Sequence, residues 1–491
     1  MLIHLSPSSI GDYAMFLKIK GLPKYRLVGR SAIVPDEYAT MLGVAGVADD
    51  RDNYQPPEWM FDYQAAIARL AVAKRKFCVF ADCGLGKTAI LLDFAKHAAR
   101  NGGRVLIVSP LMVVRQTVAE ADRFYGDSLG IKVLRAADLH EWLQHGDGVG
   151  ITNYEAITDD LPQKPLAGLI LDESSMLKSH YGAWGLRLLE MGRGVPYKLC
   201  LTGTPAPNDR IEYANHAVFM DAYPTVNAFL ARFFVNRGQT NERWELKKHA
   251  LGSFYRALSH WCIFLTDPRV YGWHDNTETL PPIHVHIHDV PLTDTQRTEF
   301  MDHEGALFCD GVGGIGSRGR IARIAKGIGV CGRAIPTNKI TTITSLIDSW
   351  PDESTIVWCK YNAEQDAVAA AIPGCGNIDG STPIEERQRI IDGFKDGTIR
   401  TIVTKPKILG FGLNLQKATR QVFSTLQDSY EEYYQAVKRS NRYGSTKPLN
   451  VHVPVTELEA PMVETVLRKA HRVAQDTREQ EEMFREHSWQ Q

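Results

Sequence analysis

From residue 77 onward the chain alternates short, nearly continuous apolar runs with longer stretches whose apolar positions recur every three or four residues. "FCVFA" (77–81), "VLIVS" (105–109), "VGIT" (149–152), "LILD" (169–172) and "KLCLT" (198–202) each end in small or polar residues. Between them, "AILLDFAKHAARNG" and "RQTVAEADRFYG" carry helical spacing. Continuous apolar strands separated by helices predict a parallel sheet covered on both faces. The pattern returns after residue 350 in "TIVWC", "NID", "RTIVT", "QVFST" and "NVHVPV", separated by "AEQDAVAAAI", "PIEERQRIIDGFKDG" and "SYEEYYQAVKRSNRYG". The expectation is an α/β protein of two parallel-sheet lobes, at 51–208 and 336–456. Residues 209–335 read as a mostly helical region between the lobes, rich in aromatics and broken by "DGVGGIGSRG". Residues 1–50 form an N-terminal accessory segment, and residues 457–491 read as an amphipathic helical brace.

Length and composition narrow this picture. A chain of 491 residues is too long for one core, so several domains are expected. Hydrophobic residues at 44% and charged residues at 23% are ordinary for a soluble globular protein. The formal net charge of −1 gives no bulk argument for nucleic acid, so any such partner must be argued from local patches. The eight cysteines are scattered without a CxxC pair, which predicts no zinc site and no disulfide framework. "MLIHLSPSSIGDY" lacks a basic n-region, and no run of about eighteen apolar residues occurs. Neither export nor a membrane partner is expected, and an intracellular, cytoplasmic protein is.

In "ADCGLGKT" (81–88) a strand feeds a glycine-containing loop, and a helix begins at the lysine. Such a loop turns backbone N–H groups inward, and the helix N-terminus adds partial positive charge, so phosphate oxygens are favoured there. Gly84, Leu85 and Gly86 would cradle the phosphates, Lys87 would reach the terminal ones, and Thr88 would ligate Mg²⁺. "LAGLILDESSMLK" places Asp172 and Glu173 at the carboxyl end of an apolar strand, the edge where ligands sit in doubly wound sheets. Phosphoryl transfer needs a carboxylate on the metal and a group orienting the attacking water. Asp172 suits the first role and Glu173 the second; taken alone, the pair reads equally well as a helix N-cap. In "YYQAVKRSNRYG", Gln435, Arg439 and Arg442 are spaced i, i+4, i+7 and would share one helical face. Two arginines presented together suit the charge of a transferring phosphate; the alternative is a solvated basic face. Their place in the second lobe would couple hydrolysis to domain closure.

With these residues collected, the chain resembles the Swi/Snf-type branch of superfamily-two helicases, the ATP-driven translocases of double-stranded DNA. "FDYQAAIARL", "ADCGLGKT", "VLIVSPLMVVRQ", "ITNYEAI", "LDESSMLKS", "LTGTPAPND", "DGSTPIEER", "TKPKILGFGLNLQKA" and "QAVKRSNRYGS" follow the order of that family's motifs across about residues 55 to 455. The resemblance implies two RecA-like lobes, ATP and Mg²⁺ as cofactors, and sequence-nonspecific duplex DNA as partner. It implies adenine reading by Gln64, nucleotide contacts at Gly412 and Gln435, and coupling of hydrolysis to movement through Thr202, Gly203 and Thr204. It further implies nucleic-acid contacts at Thr152, Asn153 and Tyr154, and at Ser381, Thr382 and Arg387. The family's carboxylate motif usually ends in alanine and histidine, whereas Ser174 and Ser175 stand here. A compact bacterial or phage-encoded member is the expectation.

Residues 315–339 carry Arg320, Arg323 and Lys326 among six basic side chains with no acidic one, which fits either a DNA-facing surface or a solvated helix face. His284, His286 and His288 alternate, so a strand would put all three on one face; an exposed strand face is the reading, not a metal site. The mildly basic, aromatic segment 1–50 would contact DNA or pack on the first lobe. Two other functions share these motifs: an RNA-stimulated unwinding helicase, and a nucleotide-gated recruitment protein with little turnover.

Overall fold

The computed structural model describes residues 1–22, 25–34, 38–44, 54–177, 183–206, 209–238, 244–274, 281–302, 315–329, 334–409, 415–426, 430–441 and 445–488. The chain divides into two compact units, Met1–Asp275 with Thr477–Gln491, and Asn276–Asp476.

The first unit opens with a small antiparallel sheet of β1 (Leu2–His4), β2 (Arg26–Val28) and β3 (Ser31–Ile33), in the order β1-β3-β2. Its helix Ile10–Gly21 starts where the Ser9 hydroxyl accepts from the Asp12 N–H, a normal N-cap. Ile19, Leu22, Ala32 and Val34 form its core, and Tyr38 stands edge-on to His260 at 6.0 Å.

The main sheet of this unit contains β4 (Lys76–Ala81), β5 (Val105–Ser109), β6 (Ile131–Val133), β7 (Val149–Asn153), β8 (Gly168–Asp172) and β9 (Tyr197–Thr202). An antiparallel ribbon of β10 (Phe234–Asn236) and β11 (Trp244–Leu246) follows, and then β12 (Cys262–Leu265). All seven strands of the sheet are parallel, in the order β12-β4-β9-β8-β5-β7-β6. Every residue of β5 and of β9 is buried, as the near-continuous apolar runs require of a two-sided sheet.

Residues 209–335, read from the sequence as one mostly helical region, are divided between the units. Those up to 274 belong to the first, where Phe229, Phe233, Phe234 and Phe254 pack ring on ring. β12 joins the sheet edge in register with β4, Cys262 opposite Cys78. A four-residue apolar run isolated from other strand signals has no periodicity to betray it; the open edge beside β4 decides its conformation.

The second unit is built on β13 (Ile283–Asp289), β14 (Thr355–Trp358), β15 (Gly376–Ile378), β16 (Thr401–Thr404), β17 (Arg420–Phe423) and β18 (Leu449–Val455). They too are all parallel, in the order β13-β18-β17-β14-β16-β15. Ile343, Val357, Val368, Val403 and Val422 fill the core on one face. On edge strand β13, His286 bonds Asn450 and His288 bonds His452, each at 3.0 Å, and the His286 and His452 rings stack at 4.8 Å. Among the described residues no group of His, Cys, Asp and Glu is arranged to hold a metal, and no helix is long and apolar enough to cross a membrane. The last helix spans Ala460–Ser488. Within the first unit its Glu481 accepts from the Thr266 hydroxyl at 2.5 Å, and Gln480 donates to the Tyr255 hydroxyl at 3.2 Å.

Candidate active site

β4 ends at Ala81 and the helix Lys87–Ala99 begins at Lys87, so Asp82 to Gly86 form a tight connecting loop. Gly84 and Gly86 hold φ values of +93° and +67°, a region that glycine enters without the Cβ penalty. Gly86 has a second reason: a Cβ there would lie 2.2 Å from Gln64 Nε2. That amide donates to the Leu85 carbonyl at 3.2 Å, while Gln64 Oε1 accepts from the Phe61 N–H at 3.1 Å. Tyr63 OH donates to the same Leu85 carbonyl at 3.1 Å. Gln64 is therefore buried against the loop and braces it from behind. Lys87 Nζ turns back onto the loop and donates to the carbonyls of Ala81 (2.9 Å) and Asp82 (3.2 Å). Lys87 and Thr88 are half-buried, open enough to meet a ligand.

Asp172 closes β8, two strands from β4. Its Oδ2 accepts from the Ser109 hydroxyl at 2.9 Å, and its Oδ1 from the Glu173 N–H at 3.1 Å. Burial, reinforced by the neighbouring Glu173 charge, pushes the Asp172 carboxyl up to about 6; Ser109 and Lys87 pull it back. Glu173 is buried with φ +51°, left-handed backbone for a residue with a Cβ. Thr202 Oγ1, at the end of β9, donates to Glu173 Oε2 at 3.3 Å and accepts from the Thr204 N–H at 3.1 Å. A Cβ on Gly203 would stand 3.5 Å from the Ala81 carbonyl and from Cys83 Sγ, so this segment runs against the phosphate loop. Lys87, Thr88, Asp172, Glu173 and the Thr202–Thr204 segment thus all stand at the carboxyl ends of β4, β8 and β9, on one edge of one sheet. The Thr88 hydroxyl and the Asp172 carboxylate are hard oxygen donors of the kind Mg²⁺ takes, set beside a loop shaped for phosphate. That donor set fits a magnesium nucleotide.

The second unit corrects one sequence expectation. Gln435 lies in the helix Tyr430–Val437, but the helix stops at Val437, so Arg439 falls beyond its end instead of one turn further along it. The chain tightens there because Arg439 and Ser440 N–H groups bond the carbonyls of Ala436 and Val437, each at 3.2 Å. The Arg439 carbonyl and Ser440 hydroxyl bond Leu415 and Gln421 instead of prolonging the helix. Arg439 is buried within this unit; its Nε donates to the Gln435 carbonyl at 3.2 Å, and one terminal nitrogen lacks a partner among the described residues. Gly412 and Arg442 lie outside the described residues. A cavity of about 690 Å³ opens at the amino ends of β14, β17 and β18, lined by Lys417, Ser440, Asn441 and Lys447 among others.

The residues expected at nucleic acid separate into two groups. Thr152, Tyr154 and Lys326 are corrected, because their side chains point inward. Thr152 Oγ1 donates to the Leu134 carbonyl and Tyr154 OH to the Asp172 carbonyl, at 2.8 and 2.7 Å. Lys326 is 4% exposed, with its ammonium 4.8 Å from the Tyr361 ring centre. Asn153 remains half-buried at the carboxyl edge, and Arg320 and Arg323 are exposed. Ser381 and Thr382 donate both hydroxyls and both N–H groups to Asp379 Oδ1, which holds the Asp379 carboxyl down at about 2. Arg387 closes the same turn on the carbonyls of Thr382 (2.7 Å) and Gly380 (2.8 Å).

Ser109 and His216 belong to this site and escaped the sequence reading. Ser109 carried a usable signal, a hydroxyl at the carboxyl end of an apolar strand. His216 carried none, since its role depends on packing across 42 residues of chain.

Residues 58–324 match the SNF2-related domain, and residues 338–444 match the helicase conserved C-terminal domain. The chain is 23% identical over 447 residues to the ATP-dependent DNA helicase DDM1 of Arabidopsis thaliana, covering 79% of this chain and 57% of that protein. It is 33% identical over 96 residues to the DNA 3'-5' helicase XPB of Mycobacterium tuberculosis, covering 19% of this chain and 17% of that one. It spans little more than half the length of the first of these relatives and less of the second. Among solved structures, the Sulfolobus solfataricus SWI2/SNF2 ATPase core in complex with dsDNA is similar at 18% identity and a TM-score of 0.42, covering 82% of this chain and 89% of that one.

Proposed function

The chain belongs to the SNF2-related family, and from that premise we propose that it is a DNA-stimulated ATPase that moves along double-stranded DNA. The observation that carries the reading is the convergence of Lys87, Asp172, Glu173 and Thr202 at one sheet edge. The phosphate-loop N–H groups and Lys87 bind the triphosphate, for which Lys87 exchanges the carbonyls of Ala81 and Asp82. Thr88 and Asp172 would hold Mg²⁺, which when bound supplies neutralising charge on the phosphate oxygens. Glu173 orients the attacking water and takes up its proton, and Thr202 keeps that carboxylate in place. Through Thr202, the Thr202–Thr204 segment is the natural route by which a change at Glu173 reaches the rest of the unit.

Gln435, Gly412, Arg439 and Arg442 keep proposed roles at the nucleotide by the resemblance of "TKPKILGFGLNLQKA" and "QAVKRSNRYGS" to the family's motifs. The DNA partner is supported by the relatives, an ATP-dependent DNA helicase and a DNA 3'-5' helicase, and by exposed Arg320 and Arg323, whose charge suits phosphate backbone. The test compares ATP turnover with duplex DNA, duplex RNA and no polynucleotide, together with displacement of a triplex-forming strand. Stimulation by duplex DNA with triplex displacement supports the reading. Stimulation by RNA alone would replace the substrate, and negligible turnover under every condition would make the chain a nucleotide-gated binding protein.

A further inference from the structure

Glu173 occupies a backbone conformation that a residue with a Cβ adopts only when its surroundings enforce it. The enforcement is visible on both sides. Before it, Tyr154 OH fixes the Asp172 carbonyl at 2.7 Å. After it, the short turn Ser174–Leu177 is held twice by the helix Tyr213–Phe219. The Ser174 hydroxyl shares a hydrogen bond of 3.0 Å with His216 Nε2, and Asn215 Nδ2 donates to the Leu177 carbonyl. Ser174 and His216 are both fully buried. The His216 ring also meets Phe80 edge-to-face at 5.2 Å. Phe80 precedes Ala81, whose carbonyl accepts from Lys87. One imidazole therefore touches both the strand that feeds the phosphate loop and the turn that follows Glu173.

We propose that His216 is a positioning residue for ATP hydrolysis: through Ser174 it fixes the left-handed turn that aims Glu173 at the attacking water. With both side chains fully buried, His216 and Ser174 act through the turn and not by touching a bound nucleotide. The inference rests on the ATPase reading above and adds a residue from outside every motif in the sequence. Burial pushes the imidazole down to about 4, so it is neutral across the working range and its bond to Ser174 does not switch with pH. The arrangement also accounts for the serine that follows the carboxylates: the histidine stands on a separate helix, and the hydroxyl is what reaches it.

The test uses the full chain and measures kcat, KM and the affinity of a fluorescent ATP analogue for wild type, Ser174→Ala, His216→Ala, His216→Gln and the double variant Ser174→Ala/His216→Ala. A misaimed water-orienting group costs on the order of 10²-fold. Ser174→Ala and His216→Ala are therefore expected to lower kcat about ten- to a hundredfold, with analogue affinity changed less than about threefold. The double variant is expected to lose no more than the worse single one, because both act on one path. His216→Gln, which keeps a group able to bond Ser174, recovers part of the loss, and the shape of the kcat profile between pH 6 and 9 is unchanged. A folded Ser174→Ala with kcat within twofold of wild type overturns the proposal, and so do multiplying losses in the double variant. If His216→Ala does not fold, Ser174→Ala and His216→Gln decide. A wild-type chain without turnover overturns the ATPase reading and this inference with it, whereas an active wild type with indifferent variants overturns this inference alone.

Discussion

Gln64 Nε2 donates to the Leu85 carbonyl at 3.2 Å, joining the helix Asp62–Lys74 to the phosphate loop. The same amide would be struck by any Cβ at Gly86. Gly86→Ala therefore meets two obstacles, the left-handed φ of +67° and the Gln64 side chain. ATP-analogue affinity is expected to fall at least tenfold in Gly86→Ala and by a smaller factor in Gln64→Ala, where the loop is unbraced but unstrained. Fluorescence titration of both variants checks the order, and an unchanged affinity in Gly86→Ala would contradict the loop's role.

Asp172, held up at about 6 by burial, must be ionised to ligate a cation. Affinity for the magnesium nucleotide should strengthen as pH rises through about 6 and fade below it. The Ser109 hydroxyl stabilises the ionised form, so Ser109→Ala should move this acid limb to higher pH. Titrations between pH 5 and 8, with and without Mg²⁺, read both effects; an affinity flat across that range would remove Asp172 from the metal.

Lys326 is a buried ammonium that burial lowers to about 8, with Glu364 and Glu459 raising it and Lys339 and Lys360 lowering it further. Its folded-state value lies below the unfolded one of about 10.4, so between about pH 8 and 10 the unfolded chain holds more protons and stability rises with pH. Lys326→Met should flatten that rise in urea unfolding and leave DNA affinity unchanged, while Arg320→Ala and Arg323→Ala weaken DNA binding. Loss of DNA binding in Lys326→Met would restore it to the interface.

Lys339 and Glu459 form an ion pair at 2.5 Å, each only 2% exposed, and Lys339 also donates to the Ser424 carbonyl. Removing one partner strands a buried charge, so Glu459→Ala should destabilise by about 3–5 kcal/mol. Replacing both with apolar residues should recover most of this. Chemical denaturation of the single and double variants measures the difference.

The frame and the polar ends of its strands are legible in the sequence for definite reasons. "VLIVS" and "LILD" are strands buried on both faces, so their apolar runs are unbroken and their last residues, Ser109 and Asp172, mark the ligand edge. "GKT" announces a helix start because its glycine must take positive φ. Packing at a distance was not legible. β12 depends on an open edge beside β4, and the helix carrying Gln435 ends early because Arg439 and Ser440 bond Leu415 and Gln421, which no local pattern encodes. Thr152 and Tyr154 sit in a motif whose family resemblance suggested surface contacts, yet their hydroxyls serve the interior.

Arg442→Ala should lower turnover by about 10³–10⁵ if this arginine stabilises the transferring phosphate. A loss under tenfold in single-turnover ATP hydrolysis would move the role elsewhere.

The central claim is that Glu173 orients the water for ATP hydrolysis stimulated by duplex DNA. Its most direct test is steady-state ATP turnover of wild type and Glu173→Gln, each with and without duplex DNA, alongside ATP-analogue binding. Wild type should turn over faster with DNA, and Glu173→Gln should bind the analogue normally while losing turnover in both conditions. Wild-type turnover retained in Glu173→Gln would contradict the account.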